Sequence, residues 1–309
     1  MKILFSLLLT VLFPISVYSQ TKIMAIGEST TAETSGYRKK FCDLAVADGL
    51  SIDMVGPNSN GTGYDADNAG YNGYTCLDLI NKLRSFYKYY SPDIVLLLEG
   101  TNDCGWNFKF YPTIPPINEL SLLIDTICLK FPDALIFVSS IPPMSDNAFT
   151  AEQTPFGVAK ANAIAFNNAM PGMINIKIAS GEKVYFINAR ALLNDTDILS
   201  DGIHPNQNGY DKIGEQFYNT VKPFIMGTAK VYPNPLTNHK LTIDLNTEMP
   251  QDISLTLYNK TGSTVFFQND LKYTSIITIS LPQSLSAGIY FLIIKYKIFT
   301  IKRKIIILN

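Results

Sequence analysis

Five short apolar runs recur between residues 22 and 187, each separated from the next by a stretch of helical periodicity, and nothing else in the chain restricts its fold as much. They are Lys22–Gly27, Ile52–Gly56, Ile94–Glu99, Leu135–Ser139 and Val184–Ile187. A strand that is apolar on both faces needs cover on both faces, which is the setting of a parallel sheet between helices. The stretches Tyr37–Asp48, Thr75–Tyr89, Ile117–Lys130, Phe156–Met170 and Asn208–Ile225 supply that cover. The alternation predicts a three-layer α/β domain over residues 20–226, with a flavodoxin-like, doubly wound parallel sheet of five strands. In such a sheet ligands bind beyond the carboxyl ends of the strands.

The pattern changes near Met226. Val231-Tyr232-Pro233-Asn234-Pro235 ends any helix. Alternating strand patterns then follow at Leu241–Leu245, Ile253–Tyr258, Ser263–Phe267, Ile276–Ser280, Gly288–Lys295 and Lys302–Leu308, with turns at Thr261-Gly262 and Ser286-Ala287-Gly288. This predicts a small all-β sandwich over residues 227–309. Charge divides at the same place: nine Lys and Arg face four Asp and Glu after residue 226, against 16 and 22 before it. The net charge of −1 gives no basic field for a polyphosphate, so nucleic acid is not an expected partner.

Met1-Lys2, an apolar run from Ile3 to Val17 and the small residue Ser19 read as a signal peptide over residues 1–19, cleaved before Gln20. The run is shorter than the ~20 residues that span a bilayer and contains Pro14, so a membrane anchor is the poorer reading. Export permits disulfides among Cys42, Cys76, Cys104 and Cys128. A Cys76–Cys104 bridge is the favoured pairing, because both residues follow loops expected to converge; four small buried hydrophobes is the alternative. With two histidines, His204 and His239, and no CxxC pair, neither a metal nor a cofactor is expected.

Four polar blocks follow the strands on one edge of the expected sheet: Gly27-Glu28-Ser29-Thr30, Gly70-Tyr71-Asn72-Gly73-Tyr74, Gly100-Thr101-Asn102-Asp103 and Asp201-Gly202-Ile203-His204. Alone, each is an ordinary turn or helix start. Together they supply what acyl transfer needs. Ser29 is the candidate nucleophile, which requires a base to take its proton. His204 is that base, and Asp201, three residues earlier, can orient its ring. The N–H groups of Ser29 and Gly73 and the Asn102 amide are candidate oxyanion donors, with Gly70 competing with Gly73. Aromatic residues in these loops, Tyr71 and Trp106 above all, are candidates for stacking on a sugar ring.

With these blocks, residues 20–226 resemble the SGNH (GDSL-like) hydrolases. The segments "KIMAIGEST", "GYNGYT", "PDIVLLLEGTND" and "DGIHPNQNGY" are most similar to the acetylxylan-esterase and carbohydrate-esterase branch. The resemblance implies Ser29 as nucleophile, Gly73 and Asn102 as oxyanion donors, and Asp201 with His204 as relay partners. It further implies an acetylated polysaccharide such as xylan as substrate. Two departures stand out: Glu28 replaces the family's aspartate, and Asn68-Ala69 replaces a His-Glu pair, the latter expected on the substrate side. The last 80 residues resemble the C-terminal sorting domain of type IX secretion through "VYPNPLTN", "LTLYNKTGSTV" and "LSAGIYFLIIKYK", with a carbohydrate-binding sandwich as the rival reading. That resemblance implies passage through a Gram-negative periplasm to the cell surface or outside, with the secretion machinery as partner.

Overall fold

The computed structural model describes residues 20–86, 90–105, 115–149, 153–225, 230–244, 252–272, 276–296 and 299–308. The expected signal peptide and Trp106 lie outside them. In chain order the first region contains β1 (Thr21–Gly27), α1 (Ser29–Ala32), α2 (Tyr37–Ala47), β2 (Ile52–Met54), β3 (Asn58–Ser59), β4 (Asp67–Gly70) and α3 (Cys76–Phe86). There follow β5 (Ile94–Leu98), α4 (Thr101–Gly105), α5 (Pro116–Lys130), β6 (Leu135–Ser139), α6 (Val158–Ala179), β7 (Val184–Ile187) and α7 (Gln207–Val221).

β1 is central. It pairs in parallel with β5, from Ile23↔Ile94 to Gly27↔Leu98, and β5 leads on to β6 and β7. Its other edge is shared: β2 pairs with its start and β4 with its end, through Ile26↔Ala69 and Gly27↔Gly70. The strand expected over Ile52–Gly56 is thus split. The Met54 N–H is taken by the Asp65 carboxylate at 2.8 Å, and the chain returns through the β3–β4 hairpin to complete the edge. Counting β2 and β4 as one, the order is that of a flavodoxin-like sheet, with the switch point between β1 and β5.

Helices cover both faces. α2 packs on α7, with Tyr37 and Phe217 rings stacked at 5.1 Å, while α3, α5 and α6 pack in sequence with one another. The strands between them are buried throughout, as their unbroken apolar runs require: Ile23 to Ile26 and Val95 to Leu98 have no exposed surface. α6 runs nine residues past the expected end at Met170, through Pro171. Its buried stripe continues as Met170, Ile174 and Lys177 while Pro171 faces solvent, so packing outweighs the lost backbone hydrogen bond.

The second region contains β8 (Lys230–Tyr232), β9 (Lys240–Asp244), β10 (Asp252–Asn259), β11 (Thr264–Lys272), β12 (Ile276–Ser280), β13 (Gly288–Tyr296) and β14 (Phe299–Ile307). They form antiparallel sheets of order β11-β10-β13-β14 and β12-β9-β8. A separate core of Leu241, Ile243, Leu255, Leu257, Leu292, Ile294 and Ile305 lies among them. β8 was not anticipated. Three residues before Pro233 are too few to show a period, and the strand is visible only through its pairing with β9.

Candidate active site

β1 ends at Gly27, where a Cβ would lie 2.0 Å from the Leu98 carbonyl oxygen, so no larger residue fits the turn. Glu28 is fully buried and caps the next turn: its Oε2 accepts the Thr30 N–H at 2.7 Å, and its Oε1 accepts the Thr101 hydroxyl at 3.1 Å. This presents Ser29 at the carboxyl edge of the sheet. Its Oγ lies 2.8 Å from His204 Nε2 and 2.7 Å from Glu28 Oε2. One hydroxyl proton can serve only one of those acceptors at a time.

His204 is held by the turn that contains Asp201. Asp201 Oδ1 accepts the Ile203 and His204 N–H groups at 2.9 and 3.0 Å, leaving Oδ2 2.7 Å from His204 Nδ1. Partial burial pushes the Asp201 carboxyl up, but the Ile203 N–H, the imidazole and the His204 N–H together hold it below the usual carboxylate range. An ionised Asp201 selects the tautomer with the proton on Nδ1. The lone pair on Nε2 then faces the Ser29 hydroxyl.

Gly73 adopts φ +78 in the turn after β4, a left-handed conformation suited to glycine. Asn102, 5% exposed on α4, donates one amide hydrogen to the Tyr74 carbonyl at 2.8 Å, which ties its loop to that of Gly73. Gly70 is excluded as a rival donor, because its N–H is given to Asn68 Oδ1 at 2.9 Å. Ser29, Gly73, Asn102 and His204 share a cleft of about 800 Å³. Its lining includes polar residues, Glu33, Ser35, Asn206 and Gln207, and apolar ones, Phe149, Leu199 and Ile203.

Residues 25–212, more than half of the chain, match the GDSL-like Lipase/Acylhydrolase family. The chain belongs to that family. Residues 230–308 match the Secretion system C-terminal sorting domain. A multidomain esterase of Ruminococcus flavefaciens is 27% identical over 232 residues, covering 66% of this chain but 29% of that relative, so the chain spans under a third of its length. The family 3 carbohydrate esterase of Clostridium thermocellum is 27% identical, with a TM-score of 0.55 over 67% of this chain and 97% of the other. A carbohydrate esterase family 3 structure from Talaromyces cellulolyticus shares the fold at 23% identity, with a TM-score of 0.56 over 66% and 98%.

Several expectations for this family member need correction. The favoured Cys76–Cys104 bridge is absent, and all four thiols are free. The two blocks meet through Asp103, whose carboxylate accepts the Cys76 N–H at 3.1 and 3.2 Å. Cys104, the next residue of the helix, is therefore turned away from Cys76. Burial pushes the thiols of Cys42 and Cys128 up to about 12, and those of Cys76 and Cys104 well up.

Tyr71 does not line the cleft; its ring stacks on Tyr74 at 4.8 Å, with Lys82 Nζ 5.1 Å from its centre. Asn68 is not on the substrate side either. It is fully buried, and its amide bonds to Gly70, Ala66 and Asn60 hold the β3–β4 hairpin. Conversely, Phe149 went unnoticed in the sequence. It follows β6 after nine residues with no motif, and only the rule that ligands gather beyond strand ends points to it. Its backbone takes φ +65, unusual for a bulky side chain, and its ring lies against Gly105 of α4.

Proposed function

We propose that the chain is an exported serine esterase that removes short acyl groups, chiefly acetyl, from a polysaccharide of the xylan type. The observation that carries this reading is the continuous relay from Asp201 Oδ2 through the His204 ring to Ser29 Oγ, at 2.7 and 2.8 Å, opening into the cleft beside Gly73 and Asn102. Ser29 Oγ attacks the acyl carbonyl while its proton passes to His204 Nε2. The N–H groups of Ser29 and Gly73 and the Asn102 amide receive the developing oxyanion, donors that are each worth roughly 3–4 kcal/mol when removed elsewhere. Collapse breaks the ester bond, and His204 returns the proton to the departing sugar oxygen. Water, deprotonated by the same imidazole, then releases the acid from Ser29. No step calls on a metal or cofactor.

Similarity to carbohydrate esterases supports a polysaccharide ester as substrate, and the polar lining residues Glu33, Ser35, Asn206 and Gln207 suit sugar hydroxyls. In this reading residues 1–19 are removed on export, residues 20–226 carry the chemistry, and residues 227–309 engage the secretion machinery that takes the enzyme from the periplasm to the outside.

The test compares p-nitrophenyl acetate, butyrate and octanoate, together with acetate release from acetylated xylan. Wild type should favour acetate, and Ser29→Ala should remove at least about 10³-fold of the activity. Preference for octanoate would replace the acetyl reading with one of longer acyl chains.

A further inference from the structure

The floor beneath the cleft is built from acids. Glu28, Glu99 and Asp103 are each at most 1% exposed, and no ion pair among the described residues includes any of them. Glu119, also fully buried, reaches in from α5 and hydrogen-bonds Asp103. Uncompensated buried carboxylates are strongly disfavoured as anions, so the group cannot be fully ionised.

Its members differ in what they receive. Glu28 accepts from Thr30 and Thr101, and from Ser29 only when that hydroxyl is not turned to His204, while Asp103 shares the one Cys76 N–H between both oxygens. Burial pushes the Asp103 carboxyl up, against the Glu119 and Cys76 bonds that favour its charged form. Neither Glu99 oxygen receives a well-formed hydrogen bond from any donor, which would be costly for an anion and is tolerable for an acid that donates its own proton. Burial first, then the Asp103 and Glu28 charges, push the Glu99 carboxyl well above the usual range, against the pull of the Gly100 N–H. An oxygen of Glu99, one of Asp103 and the Cys76 sulfur lie within 4.8 Å of one another.

We propose that Glu99 is a positioning residue that remains protonated in the folded enzyme and donates to Asp103, and that this shared proton keeps the three oxyanion-donor loops in register. The placement of the cluster explains how. Glu28 adjoins Ser29, Cys76 follows Gly73 by three residues, and Glu99 and Asp103 flank Asn102. The Glu28–Thr101 bond joins the first loop to the third, and the Asp103–Cys76 bond joins the third to the second. Loss of the proton would set two carboxylates against each other directly under Asn102. Among the described residues, the groups facing Glu99 and its partner from neighbouring elements are Glu28, Asp103, Cys76 and Glu119, and none of these is a cation.

A carboxyl whose folded-state value is raised adds stability below its unfolded value, and that stability is lost as pH rises through the folded value. The loss sets in above the unfolded carboxyl value and continues as pH rises to the folded one.

The experiment records the melting temperature and kcat/KM for p-nitrophenyl acetate from near pH 7 into the alkaline range, for wild type and Glu99→Gln. Glutamine keeps a donor toward Asp103 and cannot ionise, so activity near pH 7 should stay within about twofold. As pH rises, wild type should lose melting temperature and turnover sooner than the variant. Parallel decline of both proteins, or a large loss in the variant already at pH 7, overturns the proposal. So does a wild-type melting temperature that falls on EDTA treatment and returns with Zn²⁺ or Ca²⁺, since a cation would then occupy the place of the proton. If the variant does not fold, infrared spectroscopy of wild type decides: a neutral carboxylic-acid carbonyl band persisting at pH 7 is expected, and its absence overturns the assignment. The effect on turnover rests on the esterase reading, whereas the melting and infrared measurements do not.

Discussion

The two regions of the chain bury apolar residues in different ways. In β1, β5 and β6 nearly every residue is inside, because helices lie on both faces; in β9 and β12 buried and partly or fully exposed residues alternate, because each sheet of the sandwich has one face in water. A sheet covered on both faces leaves only its strand ends available for chemistry, and all the polar blocks collect there. A sandwich offers its outer faces instead, and here those strands belong to a region with an excess of Lys and Arg.

Substitutions at the relay should separate the regions most sharply. Ser29→Ala or His204→Ala should lower kcat by about 10⁴-fold or more with the melting temperature little changed, because the pair acts as a unit. Asp201→Ala should cost less, about 10²–10⁴-fold, since it orients the imidazole without touching the substrate. Steady-state kinetics beside a melting curve checks both.

Core substitutions sharpen the contrast further. Leu97→Ala in β5 and Leu255→Ala in β10 each remove a fully buried side chain and should each cost about 2–5 kcal/mol. Calorimetry should assign the losses to separate transitions, and only Leu97→Ala should lower activity at raised temperature. A chain ending at Met226 should keep kcat/KM within about twofold, while in the native host the same truncation should strand the enzyme in the periplasm. If the truncated enzyme reaches the outside but no longer binds insoluble polysaccharide, the sandwich is a carbohydrate-binding module.

How much of this the sequence reveals depends on the range of the interactions involved. The five parallel strands and the helices between them are legible because burial on both faces writes a local pattern. The serine and asparagine blocks are legible because each lies just past a strand, and the histidine block because one of only two histidines in the chain follows an aspartate by three residues. The split edge of β2 and β4 is not, since it depends on Asp65 capturing the Met54 N–H from eleven residues away. Cysteine pairing fails for a related reason: Cys76 and Cys104 lie in helices whose starts do converge, but the contact is made by Asp103, and one step along a helix changes which side chain faces the partner. Phe149 is hidden because a cleft wall needs no motif.

The smallest effect belongs to the family's serine block. Glu28→Asp should keep a carboxylate but shorten its reach to the Ser29 hydroxyl and the Thr101 hydroxyl. A change of a few-fold in kcat/KM is expected, consistent with one altered hydrogen bond of about 1 kcal/mol, and kinetics alone reads it.

The proposed mechanism requires His204 to activate Ser29. Peptide mapping by mass spectrometry after brief exposure to a fluorophosphonate tests it directly. Wild type should carry one adduct, on Ser29, with a time course matching loss of esterase activity, and His204→Ala should label far more slowly. Full inactivation with the adduct on another residue, or equal labelling rates in the two proteins, would contradict the claim.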